Sequence, residues 1–217
     1  RLSDRQPIYF ITPEPVNMKK LVIAFVVMFG LIACKKDIEY QSSFEKSSKS
    51  WKAFKASSNN AYRFVVSGTS WAAGSWSTTI KVQAGVPVER KFAYTVYFGI
   101  VMPPTGWTPA KQEEVLARMN LTAAAFRERT GKDIGEYLSW TETGAMVGTH
   151  TGTPASGYLT LDQVYEKAKN DWLKKRSGTT TYFEAKNNGL ISSCGYVPDN
   201  CADDCFTGIN ITLIEAL

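Results

Sequence analysis

An apolar run near the amino terminus decides which part of the chain is available to fold. Leu21 to Ile32 is uncharged throughout, follows a pair of lysines and precedes Ala33 and Cys34. A basic pair, a short apolar segment and small residues after it are the parts of a secretory signal peptide. As a helix the run would extend about 18 Å, against a hydrocarbon thickness of about 30 Å, so a stable transmembrane helix is not expected. We therefore predict a signal peptide over residues 18–33.

The end of the run resembles the bacterial lipobox, because Leu31, Ile32 and Ala33 lead directly into Cys34. The resemblance implies that Cys34 carries a diacylglycerol thioether, that cleavage occurs before it, and that the new amino group is acylated. Several acyl chains give stable anchoring. Lys35 replaces the aspartate that keeps enteric lipoproteins at the inner membrane, which favours the outer membrane. We expect a protein of the bacterial cell envelope that contacts the membrane through this lipid, on its periplasmic or its surface face.

Residues 1–17 precede the signal and begin with Arg rather than Met. Because a signal peptide belongs at the extreme terminus, we interpret them as upstream translation.

The composition of the rest is that of a folded domain. The chain is 44% hydrophobic and 21% charged, which fits neither a disordered tail nor a fibrous repeat. The net charge is +5, and because residues 1–33 hold four bases and two acids, the remainder carries +3. An excess this small and this dispersed does not predict binding to nucleic acid. No cofactor motif is present, and we expect no cofactor.

We divide the exported chain into a polar tether over residues 34–48 and a single domain over residues 49–217, with an insertion over residues 98–157. The spacing of Phe44, Trp51 and Phe54 predicts an amphipathic first helix that ends near Ser57.

The hydrophobic pattern predicts the order of the elements. Three strands, over residues 61–66, 76–82 and 86–97, follow the first helix, with a hairpin reversal at Ala84 and Gly85. Thr108 and Pro109 predict a helix start inside the insertion. Thr160 predicts a capping box and a helix that runs to about residue 176, before strands over residues 180–194 and 209–214. The prediction is an α+β domain with a small antiparallel sheet in the order αβββ-(helical insertion)-αββ.

Three cysteines lie close together near the carboxyl terminus, and an exported protein meets an oxidising environment in which disulfides persist. Cys194 and Cys205 form one candidate pair, which leaves Cys201 free, and Cys201 with Cys205 forms the other. Both pairings stay open at this point.

A metal site is the alternative use of this segment. Asp199, Asp203 and Asp204 would supply its oxygen ligands. The segment lacks the paired CxxC or His ligands of zinc sites and the spacing of a calcium loop, so we expect no metal.

Three tryptophans are candidates for a binding surface. Trp71, Trp76 and Trp107 lie near predicted loops and strand ends, where indole rings would stack on sugars or anchor a partner. Packing in the core is the alternative interpretation.

No catalytic motif is recognisable. His150 is the only histidine, and the chain has no GxSxG nucleophile elbow. An envelope hydrolase or thiol-dependent enzyme that uses Cys201 or His150 is an alternative hypothesis to a binding module. A structural or inhibitory module is another alternative.

The lipobox, the Tyr62-Arg63-Phe64 strand, the hairpin around Gly85 and the segment from Leu159 to Ile214 together resemble an uncharacterised lipoprotein domain family, of unknown function, in Bacteroidota-type bacteria. The resemblance leaves residues 98–157 unmatched and implies a location and a fold, but no activity. Our leading hypothesis is a lipid-anchored, non-enzymatic envelope module that binds a protein or a glycan.

Overall fold

The structure is a computed structural model, and it describes residues 38–72 and 74–217. The predicted signal peptide, Cys34 and residues 1–17 lie outside the described residues.

The described part contains five α-helices and eight strands. The helices are α1 (Gln41–Ser57), α2 (Pro109–Arg118), α3 (Ala123–Thr130), α4 (Ile134–Leu138) and α5 (Leu161–Lys167), and a π-helical turn (Ala168–Trp172) continues α5. The strands are β1 (Tyr62–Ser70), β2 (Gly74–Gln83), β3 (Val86–Tyr97), β4 (Ile100–Val101), β5 (Ser139–Thr143), β6 (Thr179–Glu184), β7 (Ser193–Pro198) and β8 (Thr207–Ala216).

All strand pairs are antiparallel, and the sheet runs β4-β3-β2-β1-β8-β7-β6. Strand β5 pairs with β3 on the same edge as β4. The predicted α+β class, with an early helix and a small antiparallel sheet, is confirmed.

Local sequence explains several boundaries. Ala84 (φ 49°) and Gly85 (φ 78°) form the two-residue turn between β2 and β3. Positive φ at both positions matches the turn whose twist suits a hairpin. Thr108 caps α2 through its side-chain oxygen, and Thr160 and Gln163 form the capping box of α5. The predicted hairpin and helix starts are therefore confirmed.

One face of the sheet carries two hydrophobic cores. The first lies under α1 and α5 and the second under α2, α3 and α4. The first core includes Trp51, Tyr62, Phe64, Ile80, Tyr165 and Ile191. The second includes Phe92, Tyr94, Leu116, Phe126, Leu138 and Trp140. The register places Ile80 opposite Arg90 and Thr78 opposite Phe92, so both cores share one face and polar residues lie between them.

The segment predicted as an insertion is more than helical. Strands β4 and β5 both lie within residues 98–157, and both extend the sheet at β3. Trp140 on β5 lies opposite Phe92, and their rings stack at 5.5 Å. The five residues of β5 alternate too briefly for sequence reasoning to find the strand.

The predicted tether over residues 34–48 is wrong from Ile38 onward. Ile38 is buried and forms a β-bridge with Lys174, and α1 begins at Gln41. The reason is that Ile38 and Phe44 cover the first core despite the polar residues around them.

Candidate functional site

A buried ion pair lies between the two cores. Arg90 on β3 faces Glu142 on β5, with 3.3 Å between Nη1 and Oε2, and their side chains are 7% and 0% exposed. The Arg90 guanidinium also lies over the Trp140 ring at 4.8 Å and donates to the Ser156 carbonyl at 2.9 Å. Buried charges require partners of this kind.

Glu142 fastens the loop over residues 147–156 to the sheet. Its carboxylate accepts from the backbone N–H of Gly148 at 2.7 Å, from the backbone N–H of His150 and from the Thr149 hydroxyl at 3.4 Å. Burial alone would raise the pKa of Glu142, but the two backbone hydrogen bonds and the Arg90 charge hold it below its ordinary value. The carboxylate is therefore ionised at neutral pH and holds the loop in place.

His150 belongs to the same cluster. Its Nδ1 lies 3.3 Å from Glu142 Oε1, its Nε2 lies 3.8 Å from Glu136 Oε1, and its ring stacks on Trp140 at 4.5 Å. Among the residues that the structure describes, no hydroxyl or thiol is hydrogen-bonded to the imidazole. Nucleophilic catalysis needs such a group beside the base, so the arrangement gives the catalytic interpretation of His150 no support.

The three described cysteines separate into a pair and a single thiol. Cys201 and Cys205 lie within disulfide-bonding distance, with their Cα atoms 6.3 Å apart. Cys194 is buried on the core face of β7, opposite Ile209, and is free. Of the two predicted pairings, the structure therefore contains Cys201 with Cys205 and not Cys194 with Cys205.

Neither the buried Cys194 nor the paired Cys201 presents a reactive thiolate. Burial raises the pKa of the Cys194 thiol to about 12, so the reactive thiolate is scarce at neutral pH. Cys201, the predicted nucleophile of the enzymatic alternative, is paired with Cys205.

The three aspartates proposed as metal ligands lie on the exposed loop between β7 and β8. Asp199 accepts a hydrogen bond from the Thr180 hydroxyl at 3.0 Å, and Asp203 accepts one from the Asp204 backbone N–H at 3.0 Å. Within residues 38–72 and 74–217, no group of three or more His, Cys, Asp or Glu residues is arranged to hold a metal ion.

The three candidate tryptophans have different surroundings. Trp107 is buried in the second core, and its indole N–H donates to the Tyr94 carbonyl at 2.9 Å, so it has no face free for a ligand. Trp71 follows the last residue of β1 and is 78% exposed. Trp76 on β2 is partly exposed and packs edge-on against Tyr94.

Trp76 lines a cavity of about 370 Å³, which we call the Trp76 groove. The end of β1, the start of β8 and the 147–156 loop form its walls, and the loop contributes Pro154 and Ser156. Phe206, Asp204 and Asn210 line the other side.

A second cavity of about 560 Å³ adjoins the first, and we call it the Tyr182 groove. Phe206 and Asn210 line both cavities. Tyr40 and Tyr182 line the second groove and are each nearly half exposed. The rings of Tyr182 and Phe206 lie 6.5 Å apart, edge to face.

Two of these aromatic rings pack directly against the backbone of glycine residues. A Cβ on Gly68 would lie 2.4 Å from the Trp76 ring, and one on Gly195 would lie 2.6 Å from the Phe206 ring. Gly208, the cross-strand partner of Gly195, would bring its Cβ within 2.8 Å of the same Phe206 ring. The rings therefore lie directly on the backbone, where a side chain at the glycine positions would displace them.

Sequence reasoning proposed Trp76 and Trp71 but missed Phe206, Tyr182 and Asn210. These residues come from β6, β8 and the loop before β8, and only the pairing of the strands brings them to one place. Gly195 and Gly208, each inside a strand, were the available signal, because strand glycines mark close approaches.

Comparisons with family models, with curated proteins and with solved structures give no match to this chain. In the part of the chain that the structure describes, no helix has the length and apolar character needed to cross a membrane.

Proposed function

We propose that this chain is a lipid-anchored protein of the bacterial envelope whose folded domain binds a partner and catalyses no reaction. The lipobox at Cys34, preceded by a signal sequence of ordinary design, supports the anchoring. The outer membrane is the proposed destination, on the basis of Lys35.

The position at which the fold begins limits the distance between a lipid on Cys34 and the folded domain. The backbone of Glu39 donates to the Leu173 carbonyl at 2.7 Å, which fixes the beginning of the domain beside the π-helical turn. From Cys34 to Ile38 the chain can extend at most about 14 Å. A lipid on Cys34 would therefore hold the domain close to the bilayer rather than on a long tether.

The observation that carries the binding role is the pair of aromatic-lined grooves. Trp76 and Phe206 are held on glycine backbone, yet both rings line open cavities. Aromatic groups that stay accessible and ordered are typical of binding sites, because little conformational entropy is lost when they bind.

The anchoring is tested by the intact mass of the protein isolated from membranes. The wild type should begin at Cys34, carry acyl chains and contain one reducible disulfide. Cys34→Ser should lose the acyl mass and leave the membrane fraction, whereas the matched exchange Cys205→Ser should keep both. An unlipidated wild type, or equal membrane association of Cys34→Ser, would refute the anchoring.

The binding role is tested separately by a pull-down with the purified mature protein as bait. We expect an envelope protein or glycan to be retained by the wild type and lost from a variant with both groove aromatics Tyr182 and Phe206 replaced by Ala. Retention of nothing from a whole-envelope extract would count against a binding module.

A further inference from the structure

We propose that the Trp76 and Tyr182 grooves bind one neutral glycan that runs across Phe206. This inference rests on the binding role proposed above and names the chemical class of the partner. Each cavity falls within the roughly 300–1,000 Å³ of small-molecule sites, and Phe206 and Asn210 line both of them.

The aromatic rings supply the apolar half of the recognition. Trp76 lines one groove, Tyr182 lines the other and Phe206 lines both. A pyranose presents C–H groups on its faces, which pack on aromatic rings, and hydroxyls on its rim. Aromatic rings in both cavities therefore fit a chain of sugar units.

Polar groups that line the two grooves supply hydrogen-bond donors and acceptors for the sugar hydroxyls. Asn210 Oδ1 accepts from the Ser193 hydroxyl at 2.8 Å, which leaves the amide N–H₂ without a partner among the described residues. The Trp76 indole N–H and the Asp204 carboxylate likewise have no side-chain partner within the described ranges. These donors and acceptors match hydroxyl groups, which both donate and accept.

The charges in the grooves exclude anionic polymers. No Lys or Arg is present among the described residues that line either groove, whereas Asp204 lines one and Glu184 the other. Lys186 pairs with Glu184 at 2.8 Å, so Asp204 is the only carboxylate among the described lining residues without an ionic partner. Neither groove therefore offers an unpaired cation to a nucleic acid or a uronic-acid polysaccharide. Lys49, Lys52 and Lys169 line a separate groove between α1 and α5.

The experiment measures binding of the full mature protein, in detergent, to a set of soluble polysaccharides by affinity gel electrophoresis. The neutral probes are a β-glucan, a galactomannan, an arabinoxylan, a galactan, starch and dextran. The anionic probes are polygalacturonate and a single-stranded oligonucleotide. We expect at least one neutral polysaccharide to retard the protein and both anionic probes to leave its migration unchanged.

Variants locate the binding to the grooves. Tyr182→Ala and Phe206→Ala should each weaken binding about fivefold or more, because a lost aromatic contact costs about 1 kcal/mol. The control is Phe98→Ala, which removes a similarly exposed aromatic ring from the turn between β3 and β4, outside both grooves. Far-ultraviolet circular dichroism checks that all three variants fold.

The outcomes separate the glycan inference from the proposed function. No binding to any neutral probe, equal binding to polygalacturonate, or unchanged binding by both groove variants overturns the glycan inference. If the same groove variants instead lose an envelope protein in the pull-down, the binding module stands with a protein partner. If the pull-down is also empty, both proposals fail.

Discussion

Replacing Glu142 by Gln removes the charge that faces Arg90 while nearly keeping the size of the side chain. The Arg90 side chain is 7% exposed, so its charge would stay buried and lose its ionic partner. In the wild type, the two carboxylate oxygens accept hydrogen bonds from the backbone N–H groups of Gly148 and His150. A Gln side chain has only one acceptor oxygen for these two donors. Breaking a buried pair from one side costs about 3–5 kcal/mol, and we expect about 3 kcal/mol for this substitution because one acceptor remains.

The assay is urea-induced unfolding at pH 7, followed by tryptophan fluorescence, with the free energy of unfolding extrapolated to water. A loss of about 3 kcal/mol would be a large part of the roughly 5–15 kcal/mol typical of a domain. The control is Glu215→Gln, because the Glu215–Arg63 pair is more than 40% exposed on both sides. Exposed pairs contribute about 1 kcal/mol or less. A loss for Glu142→Gln no larger than that of the control would refute the reasoning.

The pH dependence gives an independent check on the same carboxylate. Its pKa in the folded protein is below the ordinary value of 4.5, so its ionised form contributes stability above about pH 4.5 that is lost as the pH falls through the folded pKa. The stability difference between wild type and Glu142→Gln should therefore shrink as the pH is lowered from 5 to below the folded pKa. A difference that stays constant over this range would contradict the assignment.

Three further outcomes are expected. Gly68→Val should displace the indole ring that lies on it and change the near-ultraviolet circular dichroism, whereas Gly157→Ala, where a Cβ meets nothing within 4 Å, should leave the spectrum unchanged. Burial raises the pKa of the Cys194 thiol to about 12, so we expect this thiol to react with a thiol reagent at pH 8 only after unfolding. Reaction in the folded protein at the rate of a free thiol would contradict its burial. The disulfide pairing is tested by unfolding the wild type without reduction, alkylating it and digesting it. We expect Cys201 and Cys205 in one disulfide-linked product and Cys194 in alkylated form. Cys194 in the disulfide would show that the pairing is wrong.

The elements that could be predicted are those with local causes. Ala84 and Gly85 reverse the chain because two adjacent residues accept positive φ, and the capping box of α5 needs only Thr160 and Gln163. The alternation of Trp76, Thr78, Ile80 and Val82 along β2 also indicates its buried face, because side chains of a strand alternate whatever the strand pairs with. Arg90 interrupts the apolar row of β3, but its partner lies on β5, which is too short to recognise from the sequence.

The cysteines show where local reasoning ended. Spacing allowed two pairings, and the choice depends on which face of β7 carries Cys194. Strand register decides that, since a shift of one residue exchanges the two faces of a strand. Cys194 turns inward opposite Ile209, so among the three described cysteines the two in the following loop meet.

The sequence by itself determined the order of α1, β1 to β3 and α5, the hairpin, the capped helix starts and the expectation of an anchor at Cys34, because each depends on residues that are neighbours along the chain. Only the tertiary structure decided the Arg90–Glu142 pair, the cysteine pairing and the two grooves at Phe206. The physical reason is that the ion pair and the grooves join side chains from elements that are distant in sequence, and their contacts exist only after β8 has paired with β1 and β7, and β5 with β3. The cysteine pairing depends on the strand register, which turns Cys194 toward the core.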